Sequence, residues 1–239
     1  MQGTKTMESQ EDSIMDDFRY GTNVATAHIE IRMGFLRKVF SILSVQLLTT
    51  TIVSAIFMNT SAIKGFVQQS PGMLMFAALS SFVLIIALIV KRRDSPANMI
   101  LLAIFTLVES YSVGTVVTFY DKAVVLEAFV LTLAVTASLT MYALQSKRDF
   151  SSWGAGLYSA LLVLILGGFL QVFFPSDEME FLMSLGGAVL FSCFIIYDVN
   201  MLMHKVSPEE YILAAINLYL DIINLFLYIL RILSESRKN

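Results

Sequence analysis

Cysteine is almost missing: 239 residues hold one, Cys193, inside an apolar run. No disulfide can form within the chain, and cysteine usage says nothing about redox compartment. Histidine is scarce, and the two present, His28 and His204, are too few and too peripheral for a metal centre or proton relay. Charge is thin, 15% of residues against about 25% in soluble domains. No basic run marks a nucleic-acid surface, and the net charge of -3 owes much to Glu8, Glu11, Asp12, Asp16 and Asp17. Proline is limited to Pro71, Pro96, Pro175 and Pro208.

Apolar residues make up 56% of the chain, and the mean hydropathy is +0.73. They fall in blocks at about Val39 to Met58, Met73 to Val90, Met99 to Tyr120, Ala123 to Leu144, Gly154 to Phe174, Phe181 to Met203 and Pro208 to Leu233. A run of roughly 20 such residues crosses a hydrocarbon core of about 30 Å. The prolines all lie between blocks, where a missing amide donor costs a helix nothing. Strands are disfavoured, because the blocks show no alternation of period two. The expected fold is an all-α polytopic membrane protein of seven hydrophobic helices. Its divisions are a flexible cytosolic tail at 1–33, a transmembrane domain at 34–233 and a short polar C-terminal tail at 234–239. The tail lacks the apolar core of a cleavable signal peptide.

Lysine and arginine set the expected orientation. One side would receive Arg32, Arg37, Lys38, Lys91, Arg92, Arg93, Lys147, Arg148 and Lys205, whereas the connecting loops give the other side only Lys64 and Lys122. The N-terminus is therefore expected in the cytosol. The last block leaves two possibilities open: a full crossing puts Arg237 and Lys238 on the luminal side, and a re-entrant segment returns them to the cytosol.

An acid in the middle of a membrane helix costs about 2.5–3.5 kcal/mol on insertion scales, and four stand in or near such positions: Glu109, Glu127, Asp198 and Asp221. Glu127 is close enough to its block's start to reach the headgroups. Glu109 serves equally as a hydrogen-bonded structural residue or a functional one. Asp198 and Asp221 lie on consecutive helices that must form an antiparallel hairpin. Ser207-Pro208-Glu209-Glu210 between them reads as a capped helix start. At 1.5 Å per residue the two acids sit roughly 12 and 20 Å from that turn, and part of the offset closes because side chains lean toward their helix N-terminus. Asn217, Asp221 and Asn224 recur at i, i+4 and i+7, one face of a helix. This stripe is expected to face the bundle interior, with the last helix central, either lining a polar path or gluing helices by hydrogen bonds.

The runs Phe194-Ile195-Ile196-Tyr197-Asp198 and Ser207-Pro208-Glu209-Glu210-Tyr211, with Leu218-Tyr219-Leu220-Asp221-Ile222-Ile223-Asn224-Leu225-Phe226, resemble the C-terminal signature of the Bax inhibitor motif family. Similarity extends to Asp17-Phe18-Arg19-Tyr20-Gly21, to Arg32 through Val39 and to Gln145-Ser146-Lys147-Arg148-Asp149-Phe150. The resemblance implies a bundle around the last helix, residence in Golgi and endoplasmic reticulum membranes, passive calcium leak from those stores, and protection against apoptosis. It also implies that Asp198 and Asp221 form a proton-sensitive pair and that Glu209 is the family's loop acid. An acid in a helix's first turn equally favours the helix dipole. Some relatives place a basic residue within the second helix; here the first ones are Lys91, Arg92 and Arg93 at that block's end.

Two carboxyl groups in contact in a low-dielectric site cannot easily both ionise, so they titrate as a coupled pair. The expected mechanism is a shared proton that holds the last two helices together and whose loss opens a path. Calcium, the permeant ion rather than a cofactor, would meet oxygen ligands transiently at Asp198 and Asp221, with Glu209, Asn217, Asn224 and Glu109 as ion-path candidates. The competing readings are a calcium/proton exchanger and a non-transporting scaffold that regulates calcium-release channels or death-pathway proteins. Homo-oligomerisation stays open. Enzyme chemistry is not expected: Tyr197-Asp198 gives half of an intramembrane aspartyl protease motif, but Leu218-Tyr219-Leu220 precedes Asp221 where that chemistry needs Gly-x-Gly.

Overall fold

The computed structural model describes residues 29–237. Most of the tail assigned to 1–33 and the last two residues lie outside that range. The helices are α1 (Ile29–Asn59), α2 (Ser61–Gln68), α3 (Pro71–Lys91), α4 (Ala97–Val117), α5 (Lys122–Gln145), α6 (Gly154–Phe173), α7 (Asp177–His204) and α8 (Tyr211–Ser236), with single 3₁₀ turns at Ser151–Trp153 and Pro208–Glu210. Seven of these are long and apolar enough to cross a membrane, all except the eight-residue α2. Proline punctuates as the hydropathy implies: Pro71 occupies the start of α3 and Pro208 opens the last turn. α1 begins ten residues before its apolar block, carrying Arg32, Arg37 and Lys38 on a helical extension. α2, within the first connecting segment, was not anticipated.

α8 is the axis of the bundle. It packs against α7 most extensively, then α5 and α1, and touches α4 and α3. Its Ile212, Ala215, Leu218, Tyr219, Leu225 and Leu230 are all but inaccessible. α6 touches α7 and otherwise faces outward. The outer surface is apolar, with Phe76 72% and Val172 77% exposed, which suits hydrocarbon as the surrounding solvent. α8 is one uninterrupted helix of 26 residues, long enough for a full crossing.

Polar contacts sort the turns into two ends. At the first, Lys38 of α1 lies over the Tyr211 ring at 3.4 Å, Arg93 pairs with Glu209 at 3.4 Å, and Lys205 approaches Asp149 at 3.8 Å. At the second, Lys122 bonds Asn59, Gln68 bonds the Thr118 carbonyl, and Arg237 pairs with Glu127 at 2.6 Å. The C-terminal end of α8 therefore lies opposite the start of α1.

The capping box expected at Ser207 is not formed. Ser207 is extended and its hydroxyl makes no cap bond; Pro208–Glu210 close a 3₁₀ turn, and the α-helix begins at Tyr211. Glu210, released from capping, turns to arginine.

Candidate functional site

Asp198 on α7 and Asp221 on α8 are brought together by the antiparallel hairpin, their carboxyl groups within direct interaction range. Asp221 is 7% exposed and its Oδ2 has no hydrogen-bond partner. A buried carboxyl oxygen left bare costs about 1–3 kcal/mol or more, so this atom calls for a proton, water or a cation. Tyr158 of α6 and Tyr197 of α7 lie within electrostatic reach of Asp198. The helices approach closely because Gly187 faces Tyr228, where a Cβ would stand 2.7 Å from the ring. Phe191 stacks on that same ring at 5.8 Å.

The stripe does not turn inward as a whole. Asn217 is exposed, Asn224 is half-buried with its amide donating to the Leu220 carbonyl at 2.8 Å, and only Asp221 is covered. The reason is the breadth of α8's apolar surface: α1, α5 and α7 bury the aliphatic faces, and the polar face remains on the least covered flank, with Asp221 at its edge under α7. Leu213, Leu220 and Leu227 share this flank and are likewise incompletely covered.

The other acids separate by environment. Glu109 on α4 is half-buried near Ser81 of α3, away from the aspartates in the helix order. Glu127 is about half exposed and paired to Arg237. Glu209 and Glu210 sit at the first end, where Arg92 and Arg93 both reach one Glu210 oxygen, at 3.3 and 3.6 Å. The arginines near the end of α3 thus meet the loop glutamates.

Two features escaped sequence reasoning. Asn200, fully buried two residues past Asp198, accepts the Phe150 amide at 3.1 Å and donates to the Arg148 carbonyl at 3.0 Å. It pins the α5–α6 loop to α7. In that loop Asp149 accepts the Ser151 amide at 2.8 Å, and the bond holds its carboxyl below the ordinary value of 3.8. The second feature is a hydroxyl network on the opposite side of α8, where Thr50 of α1 meets Ser110 of α4 at 3.0 Å and Tyr219 at 2.8 Å. The i, i+4 spacings of Gln46 with Thr50 and Thr106 with Ser110 were the available signal.

The profile of the family described as "Inhibitor of apoptosis-promoting Bax1" matches residues 32–238. The chain belongs to this Bax inhibitor family. It is 54% identical to Protein lifeguard 4 of Mus musculus over 95% of both chains. It is 51% identical to the Golgi anti-apoptotic protein of Vaccinia virus (strain Lister), again over 95% of both. Bax inhibitor 1 of Schizosaccharomyces pombe is 39% identical, over 96% of this chain and 86% of its own. The Bax inhibitor match takes in all seven long helices, the aspartate pair and the glutamates at the start of α8.

Proposed function

We propose that this Bax inhibitor protein is an anti-apoptotic, multi-pass protein of Golgi and endoplasmic reticulum membranes that leaks calcium in a pH-sensitive way, gated by Asp198 and Asp221. The observation that carries the reading is the facing carboxyl pair on the central hairpin, with one Asp221 oxygen bare and the open polar face of α8 beside it. The Golgi residence and anti-apoptotic role draw support from what the 51% identical vaccinia protein is called. The cytosolic N-terminus draws support from the basic residues gathered at the first end.

At acid pH the pair holds one proton between two oxygens, and α7 stays against α8. Loss of that proton leaves two like charges in a poorly screened site, whose repulsion loosens the hairpin. The carboxylates then accept a hard cation that prefers six to eight oxygens. Among the described residues no three His, Cys, Asp or Glu side chains converge. Two carboxylates must therefore be supplemented by water and by amide oxygens such as those of Asn217 and Asn224, which suits an ion that passes rather than stays. The sign follows: flux rises with pH and acid closes the path.

The test is purified protein in dye-reported liposomes. Calcium release that grows from pH 6 to pH 8 supports the leak. Release accompanied by a fixed stoichiometry of counter-moving protons turns the reading to exchange, and no release from inserted protein turns it to the scaffold.

A further inference from the structure

The helical spacing of Asn217, Asp221 and Asn224 continues beyond the stripe, to Glu210 in the 3₁₀ turn seven residues before Asn217 and to Arg231 seven residues after Asn224, past Tyr228, which rests against Gly187 and Phe191 of α7. From Glu210 to Arg231 is about 31 Å at 1.5 Å per residue, close to the hydrocarbon thickness of about 30 Å. Each end of this line is closed by guanidinium on carboxylate. At the first end Arg92 and Arg93 share Glu210 at 3.3 and 3.6 Å, and Arg93 also holds Glu209 at 3.4 Å. At the second, Arg231 Nε meets Glu180 Oε1 of α7 at 3.4 Å.

We propose that these two arginine–glutamate clusters are electrostatic plugs at the two mouths of a path along α8; the inference rests on the calcium reading above. A guanidinium occupies the oxygens a divalent cation would use and adds a positive charge that repels it. The bare Asp221 oxygen, buried and without a partner, lies between the plugs, where an admitted ion would find it. Every participating side chain is 28–58% exposed at its surface, so the pairs are screened by salt and can exchange partners. When an arginine swings aside, the glutamate it held becomes a ligand. The plugs thus work separately from the proton on the aspartate pair.

The test uses the full chain in liposomes with Cys193→Ser and Asn217→Cys, read by reaction with a membrane-impermeant thiol reagent applied at the first end. Calcium release is measured in parallel with Asn217 intact. Arg92→Gln with Arg93→Gln should raise labelling at position 217 several-fold and raise release. Arg231→Gln should raise release without changing that labelling. The full exchange, Arg92→Glu and Arg93→Glu with Glu209→Arg and Glu210→Arg, should return labelling toward the parent level, which shows that paired charge rather than misfolding is being read. Unchanged labelling on removing both arginines, in protein that does release calcium, overturns the plugs and leaves the leak standing. Raised labelling with no release from any variant supports the plug at the first mouth and removes calcium as the ion.

Discussion

Asn200 and Asp221 show two ways in which a buried polar side chain can matter. Asn200 is satisfied on both sides of its amide, and it fixes a loop whose bonded atoms lie 50 and 52 residues earlier. Replacing it with Ala strands the buried Phe150 N–H and the part-buried Arg148 C=O, at about 1–3 kcal/mol for a fully buried group. Asn200→Ala is expected to lower thermal stability by about 2 kcal/mol, read by melting in detergent; an unchanged melting temperature would show that water replaces the amide. Asp221 is the opposite case, an acid with a bare oxygen. Its importance was legible in the sequence because an ionisable group within an apolar block is costly wherever its neighbours lie. Asn200 was not legible, since a polar residue near the end of a helix is ordinary and its value depends on a loop that folding brings to it.

At the scale of elements, the α7–α8 hairpin was readable from two blocks and a proline turn. The turn's internal bonding was not. Ser207 through Glu210 carry the residues of a capping box, but Arg92 and Arg93 compete for the glutamates from the α3–α4 turn, and that competition is a tertiary matter. Glycine spacing likewise gave no warning that neighbouring positions differ. A Cβ on Gly187 meets the Tyr228 ring at 2.7 Å, whereas one on Gly186 meets nothing within 4 Å. Phe191 keeps the ring from moving freely. Gly187→Ala should therefore destabilise by about 1–3 kcal/mol through overpacking, and Gly186→Ala should be neutral or slightly favourable through helix propensity. The comparison is made by unfolding both variants under identical conditions; equal stabilities would mean that α7 and α8 are not held by this contact.

For the whole molecule, hydropathy and lysine–arginine asymmetry established the number of long helices and the grouping of their ends. What they could not settle was the direction of α8's polar face. A central helix was expected to hide its polar residues, yet hydrophobic burial acts on the apolar faces first, and these cover most of α8's circumference. The uncovered arc is the polar one. The same geometry places Arg237 beside Glu127, at the end opposite Lys205. Cysteines introduced singly at Arg237 and Lys205, in a Cys193→Ser background, should thus be labelled from opposite sides of an intact membrane. Labelling of both from one side would show that α8 does not cross.

The central claim is that a proton shared by Asp198 and Asp221 closes a calcium path. The most direct measurement is calcium release from dye-loaded liposomes across pH 6 to 8 for the parent chain, Asp198→Asn and Asp221→Asn. The parent should release more as pH rises, and each Asn variant, with one carboxyl made permanently uncharged, should lose most of that pH dependence. Release that keeps both its size and its pH dependence in Asp221→Asn would contradict the account and leave the buried acids as hydrogen-bonding groups between helices.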